Sequence, residues 1–310
     1  MPNPHIAGSF PDLTELTSTF TDIFNERFKA EGDRVGDYYR KITDSRINTR
    51  YSTVSGMGQL AEFTGQINYA DVAQGYDMTL TPVQFARGFS IERLLADTDQ
   101  SEIMNGKPRA LGTAAARTRN YHAVRPWDNA FTQDTLFATH TEGVAMCSNS
   151  HTTTTGASTA AGFDNLTTAA LSSVAISTMR VQALNFRDEQ GEKITNLKFD
   201  RILVPQQGNM EETAWEIVNS MGKVDSAQNN ANFNRDRYSV KVDIYLSDAN
   251  NFWMYDETMM KDSGLVWQEA TPPEFAMIED FDSLIAKWRC YGRWGNHWIG
   301  WPWCIGANVS

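Results

Sequence analysis

Three residues that can bind a metal lie close together near the middle of the chain. His140, Cys147 and His151 fall within twelve residues, and imidazole nitrogens and thiolates are common ligands of structural zinc. A fourth ligand would be needed, and the spacing matches no common zinc motif. A loop with two exposed histidines and one buried cysteine explains the same residues without a metal.

Cys290, His297 and Cys304 form a second, evenly spaced set near the carboxyl end. Buried thiols and a hydrogen-bonded imidazole are the simpler interpretation of this set. The chain has three cysteines in all, and their scattered positions predict no disulfide framework. We therefore assign no metal-binding residues.

The sequence lacks the motifs of common enzymes. A serine hydrolase needs a nucleophile on a strained turn, but Gly-x-Ser-x-Gly does not occur, and the stretch Gly156–Gly162 resembles it only loosely. A phosphate-binding loop and a dinucleotide fingerprint are also absent. Acidic clusters such as Asp188–Glu189 and Glu279–Asp282 are better explained as solvated turns and helix ends than as calcium ligands. We predict no catalytic residues and no cofactor.

Composition and charge exclude further classes of protein. With 41% hydrophobic and 11% aromatic residues, the chain is that of a folded protein. Its net charge of −11 argues against a main task of holding nucleic acid, since that depends on clustered Lys and Arg. No apolar run approaches the length of about 18 residues that a membrane span needs, and no signal peptide is recognisable at the first residues. We therefore expect a cytosolic protein with no membrane partner.

The residues that carry any function must be positioned by a mixture of helices and strands. Apolar residues from Phe10 to Phe28 recur at helical spacing, which predicts an amphipathic helix. The glycine-interrupted stretch Tyr51–Gln84 predicts a long two-stranded projection with a strand at Tyr76–Pro82. Such a hairpin is marginal in water and needs a neighbouring surface. Helical character resumes at Ser90–Arg93.

Further helices and strands are predicted along the rest of the chain. After a break at Asn105–Pro108, a central helix runs from Ala110 to about Phe131, and Pro126 should kink or end it. The small residues at 112 and 114–116 would let another backbone come close. The remaining predictions are a threonine-rich loop at Thr152–Ser158, helices at Leu166–Leu184 and Glu211–Met221, strands at Arg201–Pro205, Tyr238–Leu246 and Asn251–Asp256, and a loop at Asn229–Asn234. This is an α+β arrangement without the βαβ rhythm of a nucleotide-binding sheet.

The last stretch, Trp288–Trp303, contains five of the nine tryptophans. Side chains with a large apolar body and one polar tip concentrate in cores, at interfaces and on ligand-binding surfaces. The spacing predicts two short strands around a turn at Gly295–Asn296.

The order of these segments carries a resemblance to a known family. A polar arm and a glycine-broken hairpin precede a long helix, Gly143-Val-Ala-Met-Cys-Ser-Asn-Ser-His151, Asp188-Glu-Gln-Gly191, Ile202-Leu-Val-Pro205 and the tryptophan-rich end. From about Gly56 to Trp303 this resembles the major capsid subunits of tailed bacteriophages, in particular the Mu-like major head subunits with the Hong Kong 97 capsid fold.

The resemblance implies a domain organisation and a function. It implies an N-terminal arm at 1–51, an extended loop at 52–87, a peripheral domain with a spine helix at 88–144, a mainly axial domain at 145–284, and an aromatic segment at 285–310 that returns to the peripheral domain. Identical subunits would form pentamers and hexamers of an icosahedral shell around double-stranded DNA, assembled in the host bacterial cytoplasm. Separate scaffold, portal and decoration proteins would be partners, and contacts with DNA would be non-specific.

Inter-subunit contacts are expected in the loop, in the arm and near a symmetry axis. The residues predicted to make them are Phe63, Tyr69, Tyr76, Met78, Leu80, Phe20, Phe24, Asn232 and Phe233. Two other functions remain open at this point. One is an encapsulin-type shell that encloses cargo proteins, and the other is a carbohydrate-binding module with an exposed tryptophan surface.

Overall fold

A computed structural model describes residues 13–60, 62–67, 69, 71–92, 101–223, 230–280 and 285–309; the side chains of 13–15 and 101–103 are outside this description. The described helices are α1 (Leu13–Ala30), α2 (Arg34–Tyr38), α3 (Ser101–Asp128), α4 (Ser173–Ala183), α5 (Met210–Asn219) and α6 (Glu257–Met259), which continues as a π-helix over Met260–Gly264. The strands are β1 (Arg40–Thr43), β2 (Thr49–Val54), β3 (Gln74–Leu80), β4 (Val83–Glu92), β5 (Ala138–His140), β6 (Leu166–Thr167), β7 (Arg201–Pro205), β8 (Ser239–Asp243), β9 (Phe252–Tyr255), β10 (Leu265–Asp280), β11 (Ile285–Trp298) and β12 (Cys304–Ala307).

The longest strands form a four-stranded sheet in the order β1-β10-β11-β4. β10 and β11 are antiparallel, β11 pairs antiparallel with β4, and β1 runs parallel to β10. Helices α1 and α3 contact each other and this sheet. Phe20 of α1 packs edge-on against Trp288 of β11, and Phe24 stacks on Phe275 of β10. These buried aromatic contacts therefore attach α1 to β10 and β11.

The close approach of α1 and α3 depends on a glycine. A methyl group built on Gly112 would lie 2.7 Å from the carbonyl oxygen of Phe24, closer than real side chains come. The prediction that small residues at this point of the helix admit another backbone is confirmed.

A second sheet has five strands in the order β6-β12-β9-β7-β8. β7 and β8 are parallel and are joined through α5, whereas β9 is antiparallel to both β7 and β12. The largest buried cluster lies here and includes Trp127 of α3, Trp253 of β9 and Trp303. The Trp127 indole meets that of Trp303 edge-on at 5.3 Å. One aromatic core thus connects α3 to the second sheet.

A three-stranded sheet in the order β2-β3-β5 supports the predicted projection. β2 and β3 pair antiparallel, as the sequence predicts, and residues 55–73 connect them. β5 pairs with the other edge of β3, and the cluster around it buries Met78 and Leu80. The base of the hairpin is therefore part of the folded body.

Several sequence predictions agree with the structure. The first amphipathic helix, the strand at Arg201–Pro205, the helix beginning near Glu211 and the strand within Asn251–Asp256 all occur with small shifts of their ends. In the described residues, no helix is both long and apolar enough to cross a membrane.

The predicted turn at Gly295–Asn296 is wrong, because both residues lie inside β11. Gly295 pairs with Gln268, and a methyl group on it would approach Pro82 Cα at 3.1 Å. The glycine is needed for close packing rather than for a turn.

Three predicted helix boundaries are also wrong. The helix expected from Leu166 begins at Ser173, where Ser172 caps it by accepting from Ala175 N, since Leu166–Thr167 pairs with β12. Residues 90–92 continue β4 rather than start a helix, because they pair with β11. The break expected at Asn105–Pro108 is absent, and α3 continues through both Pro108 and Pro126.

Candidate functional site

The segment between β2 and β3 exposes an unusual number of large apolar side chains. Leu60 is 100% and Tyr69 90% exposed. The full set of such residues in this segment and at its edges is Val54, Met57, Leu60, Phe63, Ile67, Tyr69 and Val72. Large apolar side chains left exposed together in one segment are typical of a surface that another molecule covers. We call residues 54–72 the apolar loop.

The base of the apolar loop is held by hydrogen bonds. Ser55 N donates to Ala73 O at 2.9 Å, and Ala73 N donates back to Ser55 Oγ at 2.9 Å. From the threonine-rich loop, Thr154 Oγ1 donates to Gln74 O at 2.8 Å, and the Tyr76 and Thr152 hydroxyls lie 2.6 Å apart. The apolar tip is therefore presented from a fixed base.

A cleft of about 480 Å³ lies beside this base. β2 forms one wall, the segment from Trp298 to Trp303 forms another, and Glu142 and Asp188 contribute carboxylates. His140 lies at its edge, and its ring stacks on Trp298 with 3.9 Å between centroids while Nε2 contacts Ile299 O at 3.1 Å. Burial lowers the pKa of His140. The two ring nitrogens of His140 are engaged by backbone atoms, Ile299 O and Glu142 N, and not by a hydroxyl or thiol.

The side chains of His140, Cys147 and His151, the first candidate metal set, make contacts within the protein core. Both histidines are buried, contrary to the prediction that they are exposed. His151 contacts Glu142 Oε1 at 3.0 Å and Asn165 Oδ1 at 3.2 Å, whereas Cys147 Sγ lies 3.9 Å from Cys304 Sγ. In the part of the chain that the structure describes, no group of three or more His, Cys, Asp or Glu side chains could hold a metal ion.

The second candidate set is spread over separate parts of the core. Cys290 is buried against Phe24 and Leu111, and burial raises the pKa of its thiol to about 11. Burial lowers the pKa of His297 to about 4. Cys304 is buried in the second sheet, where burial and the neighbouring Cys147 hold the pKa of its thiol well above its usual value. These groups are neutral packing elements.

The tryptophans near the carboxyl end are all buried. Trp288, Trp294, Trp298, Trp301 and Trp303 each belong to a hydrophobic cluster of the subunit or lie within its core. Their rings contact one another and neighbouring aromatic residues, as in the stack of Trp294 on Phe85 at 4.7 Å. A carbohydrate-binding surface requires exposed rings, so that alternative is wrong.

The residues predicted to contact another subunit differ in how far they are buried. The side chains of Phe20, Phe24, Met78 and Leu80 are buried within their own subunit, because α3, the four-stranded sheet and β5 cover them. This burial corrects their assignment, since they offer no surface to a neighbour. Tyr76 is partly buried through its contact with Thr152. Phe63 and Tyr69 are exposed in the apolar loop.

Asn232 and Phe233 lie on a second surface, near α4 and α5. Asn232 is partly buried and donates to Ile217 O at 2.6 Å and Ser220 O at 3.0 Å, so it holds its own loop. The Phe233 ring is exposed. The guanidinium carbon of Arg180 lies 5.1 Å from the centroid of this ring, and that of Arg237 lies 4.1 Å from it. Asn229, the first residue of the predicted loop, lies outside the described residues.

Sequence reasoning missed other exposed apolar residues on α4, on α5 and shortly after each helix. They are Val174, Val181, Leu184, Trp215 and Met221. The sequence pattern could have indicated their exposure, because they lie outside the apolar face of each helix. Trp215, for instance, lies on α5 beside three glutamates. Exposed apolar side chains thus occur in the apolar loop, on α4 and the residue after it, and on α5 and shortly after it.

Comparison with known proteins identifies a family for this chain and solved structures with a similar fold. The family model described as phage capsid protein matches residues 75–300. No curated protein matches the sequence. Solved structures with a similar fold include the capsid of Ralstonia phage GP4, at 10% identity and a TM-score of 0.55, with 88% of this chain and 87% of that chain covered.

Two further structures widen the comparison. The mature capsid of bacteriophage PhiM1 is 12% identical with a TM-score of 0.54, over 90% of this chain and 87% of that chain. A virus-like particle from Pyrococcus furiosus is 6% identical with a TM-score of 0.50, over 94% of this chain and 98% of that chain. At such identities, these likenesses show the fold alone. The family match covers most of the chain, from within β3 to the segment after β11. The chain belongs to the phage capsid protein family, and it is a structural subunit of a phage shell rather than an enzyme.

Proposed function

We propose that this chain is the major head subunit of a tailed bacteriophage, and that identical copies form pentamers and hexamers of an icosahedral shell around double-stranded DNA. The observation that carries the proposal is the apolar loop, which has a fixed base and an exposed tip. Apolar surface left in water costs about 25 cal/mol per Å². A neighbouring copy in a closed shell would cover the loop of every subunit.

The Hong Kong 97 organisation supplies a place for each sheet. We assign the four-stranded sheet with α3 as spine helix to the peripheral domain, and the five-stranded sheet with α4 and α5 to the axial domain. β2, the apolar loop and β3 would be the extended loop. The last strands fit both domains, since β11 lies in the first sheet and β12 in the second. A Mu-like head subunit is the subfamily that the sequence resembles.

The charge of the chain bears on what the shell would contain. With a net charge of −11, a shell of such subunits would enclose DNA through few and non-specific contacts. Scaffold, portal and decoration proteins would complete the head, and assembly would take place in the host bacterial cytoplasm. The alternative is a shell of the same fold that encloses cargo proteins, as encapsulins do.

Assembly of the full chain tests the proposal. The protein is expressed alone and with its neighbouring viral genes, and particles are examined by sedimentation and negative-stain electron microscopy. Shells, tubes or rings of five and six subunits are expected, and particles from infected cells should contain DNA rather than cargo protein. A monomer or dimer under all conditions would overturn the proposal.

A loop deletion then tests the role assigned to the apolar loop. Residues 57–71 are replaced by a short Gly-Ser linker, which keeps β2 and β3 in place. The variant should be folded by circular dichroism and should not form shells. Normal shells from this variant would show that the loop is not an assembly contact.

A further inference from the structure

Three basic residues around one pocket have no acidic partner. Arg180, Lys198 and Arg237 line a pocket of about 230 Å³ at the side of α4. Within the described residues, none of their side chains forms an ion pair with a carboxylate. One acidic residue, Asp200, also lines the pocket, so the basic side chains outnumber the carboxylates there by three to one. The pocket is suited to an anionic group.

Two lining residues also have buried polar atoms that need a partner. Arg180 Nε and the Tyr238 hydroxyl are buried and have no hydrogen-bond partner among the described residues. Tyr238 as a whole is only 4% exposed. An unpaired buried donor costs about 1–3 kcal/mol. A carboxylate or phosphate oxygen in the pocket could accept from them.

The rim of the pocket is apolar. Leu184 lines the pocket, and the exposed Phe233 ring lies against two other lining residues, Arg180 and Arg237. Phe233 is held in place by the guanidinium groups of Arg180 and Arg237. The expected occupant therefore carries a negative charge next to an apolar group, which a bare ion does not.

The exposed face of α5 has this composition. Trp215 is 62% exposed, and Glu212 and Glu216 lie three residues before it and one residue after it. Residues three and four apart share one face of a helix, so Glu212 lies beside both Trp215 and Glu216. In the described part of the chain, neither carboxylate has an ion-pair partner.

We propose that α5 of one copy docks on the Arg180–Arg237 pocket of the next copy, and this inference rests on the proposed function. A carboxylate of Glu212 or Glu216 contacts the guanidinium groups, and Trp215 covers Leu184 and Phe233. Because the two surfaces differ, the contact is heterologous and repeats around a ring. Charge complementarity of this kind also fixes the register of the copies.

Charge reversal tests the contact. The pair Arg180→Glu and Arg237→Glu removes the basic side, and the pair Glu212→Lys and Glu216→Lys removes the acidic side. Each pair alone should weaken ring formation at least 10-fold, measured by sedimentation velocity, and the four changes together should restore it. Arg289→Glu, an exposed reversal on β11, is the matched control and should leave rings unchanged.

A cysteine pair gives a second readout that does not depend on rescue. Glu212→Cys with Arg237→Cys should form covalent rings when assembled subunits are treated with diamide, which oxidises paired thiols to disulfides. The three native cysteines are buried and provide the background. Denaturing gels without reductant would show ladders of up to five or six subunits. Circular dichroism excludes misfolded variants.

The outcomes separate this inference from the proposed function. If wild-type protein forms shells and the Arg180 and Arg237 reversals form them equally well, the docking contact is wrong and the shell function stands. If the reversals keep rings but lose bound nucleic acid, the occupant is a phosphate and the docking contact is again wrong. If wild-type protein never assembles, the proposed function itself fails.

Discussion

Arg119 of α3 donates to Glu269 of β10 across 3.2 Å, and both side chains are buried. Arg119 also lies 3.0 Å from Asp33, and the Lys41 amine contacts the second oxygen of Glu269. Two buried, mutually dependent charges therefore connect the long helix to the four-stranded sheet.

Glu269→Gln is expected to destabilise the subunit by about 3–5 kcal/mol, because it removes the buried carboxylate beside the buried charge of Arg119 and leaves only the more exposed Asp33. Urea unfolding of the unassembled subunit at neutral pH measures the change. Lys261→Ala, which breaks the more exposed pair with Glu257, should cost no more than about 0.5 kcal/mol. Equal effects of the two substitutions would contradict the assignment.

Replacing two glycines of α3 with alanine should change the stability of the subunit in opposite directions. Gly112→Ala places a methyl group against the backbone of Phe24 and should cost about 1–3 kcal/mol. Gly106→Ala has open space around it in the same helix and should stabilise by about 0.5–1 kcal/mol. The melting temperatures of the two variants, compared with that of the wild type, test both expectations. A neutral Gly112→Ala would mean that α1 and α3 do not approach so closely.

The apolar loop should matter for assembly and not for subunit stability. Replacing Leu60, Phe63 and Tyr69 with serine removes exposed apolar surface and no core contact. The melting temperature of the subunit should stay the same, while shell yield by sedimentation falls strongly. A lower melting temperature with normal shells would show that these side chains pack within their own subunit.

His122 should make the subunit sensitive to acid. Its Nδ1 accepts a hydrogen bond from Trp294 Nε1 at 3.2 Å, and burial together with Arg125 lowers its pKa to about 4. An unfolded chain has a histidine pKa of about 6.5, so between these values the unfolded state binds more protons. The stabilisation is complete above about pH 6.5 and is lost as the pH falls towards 4.

His122→Gln keeps an acceptor for Trp294 and removes this titration. Its free energy of unfolding should therefore fall less between pH 7 and pH 4.5 than that of the wild type. Urea titrations at both pH values compare the two proteins. An identical loss in both would show that other groups cause the acid sensitivity.

The sequence predicted the elements that carry a strong local signal. The apolar period of α1 and the continuous apolar run of β7 are properties of neighbouring residues, so both were found with nearly correct ends. The α3 break was predicted because proline costs about 3 kcal/mol inside a helix. Burial of Met104 and Leu111 on either side of Pro108 explains why the helix continues.

Errors arose where a distant segment decides the structure. Met78 and Leu80 looked like interface residues because the hairpin had no core of its own, but β5 and Val266 cover them from far along the chain. Local patterns cannot show such a partner. Phe63 and Tyr69 are exposed within the predicted loop, whereas the prediction omitted Met57, Leu60 and Ile67.

The path from β11 to β12 has a consequence for biosynthesis. Residues 304–307 occupy an interior position of the five-stranded sheet, between β6 and β9, although both of those strands are translated before them. β6 and β9 therefore remain without their shared neighbour until the ribosome has released this segment. A nascent chain that stops before residue 304 would expose two strand edges to proteases and chaperones. We therefore expect truncated products to be degraded before they can enter a growing particle and block its assembly.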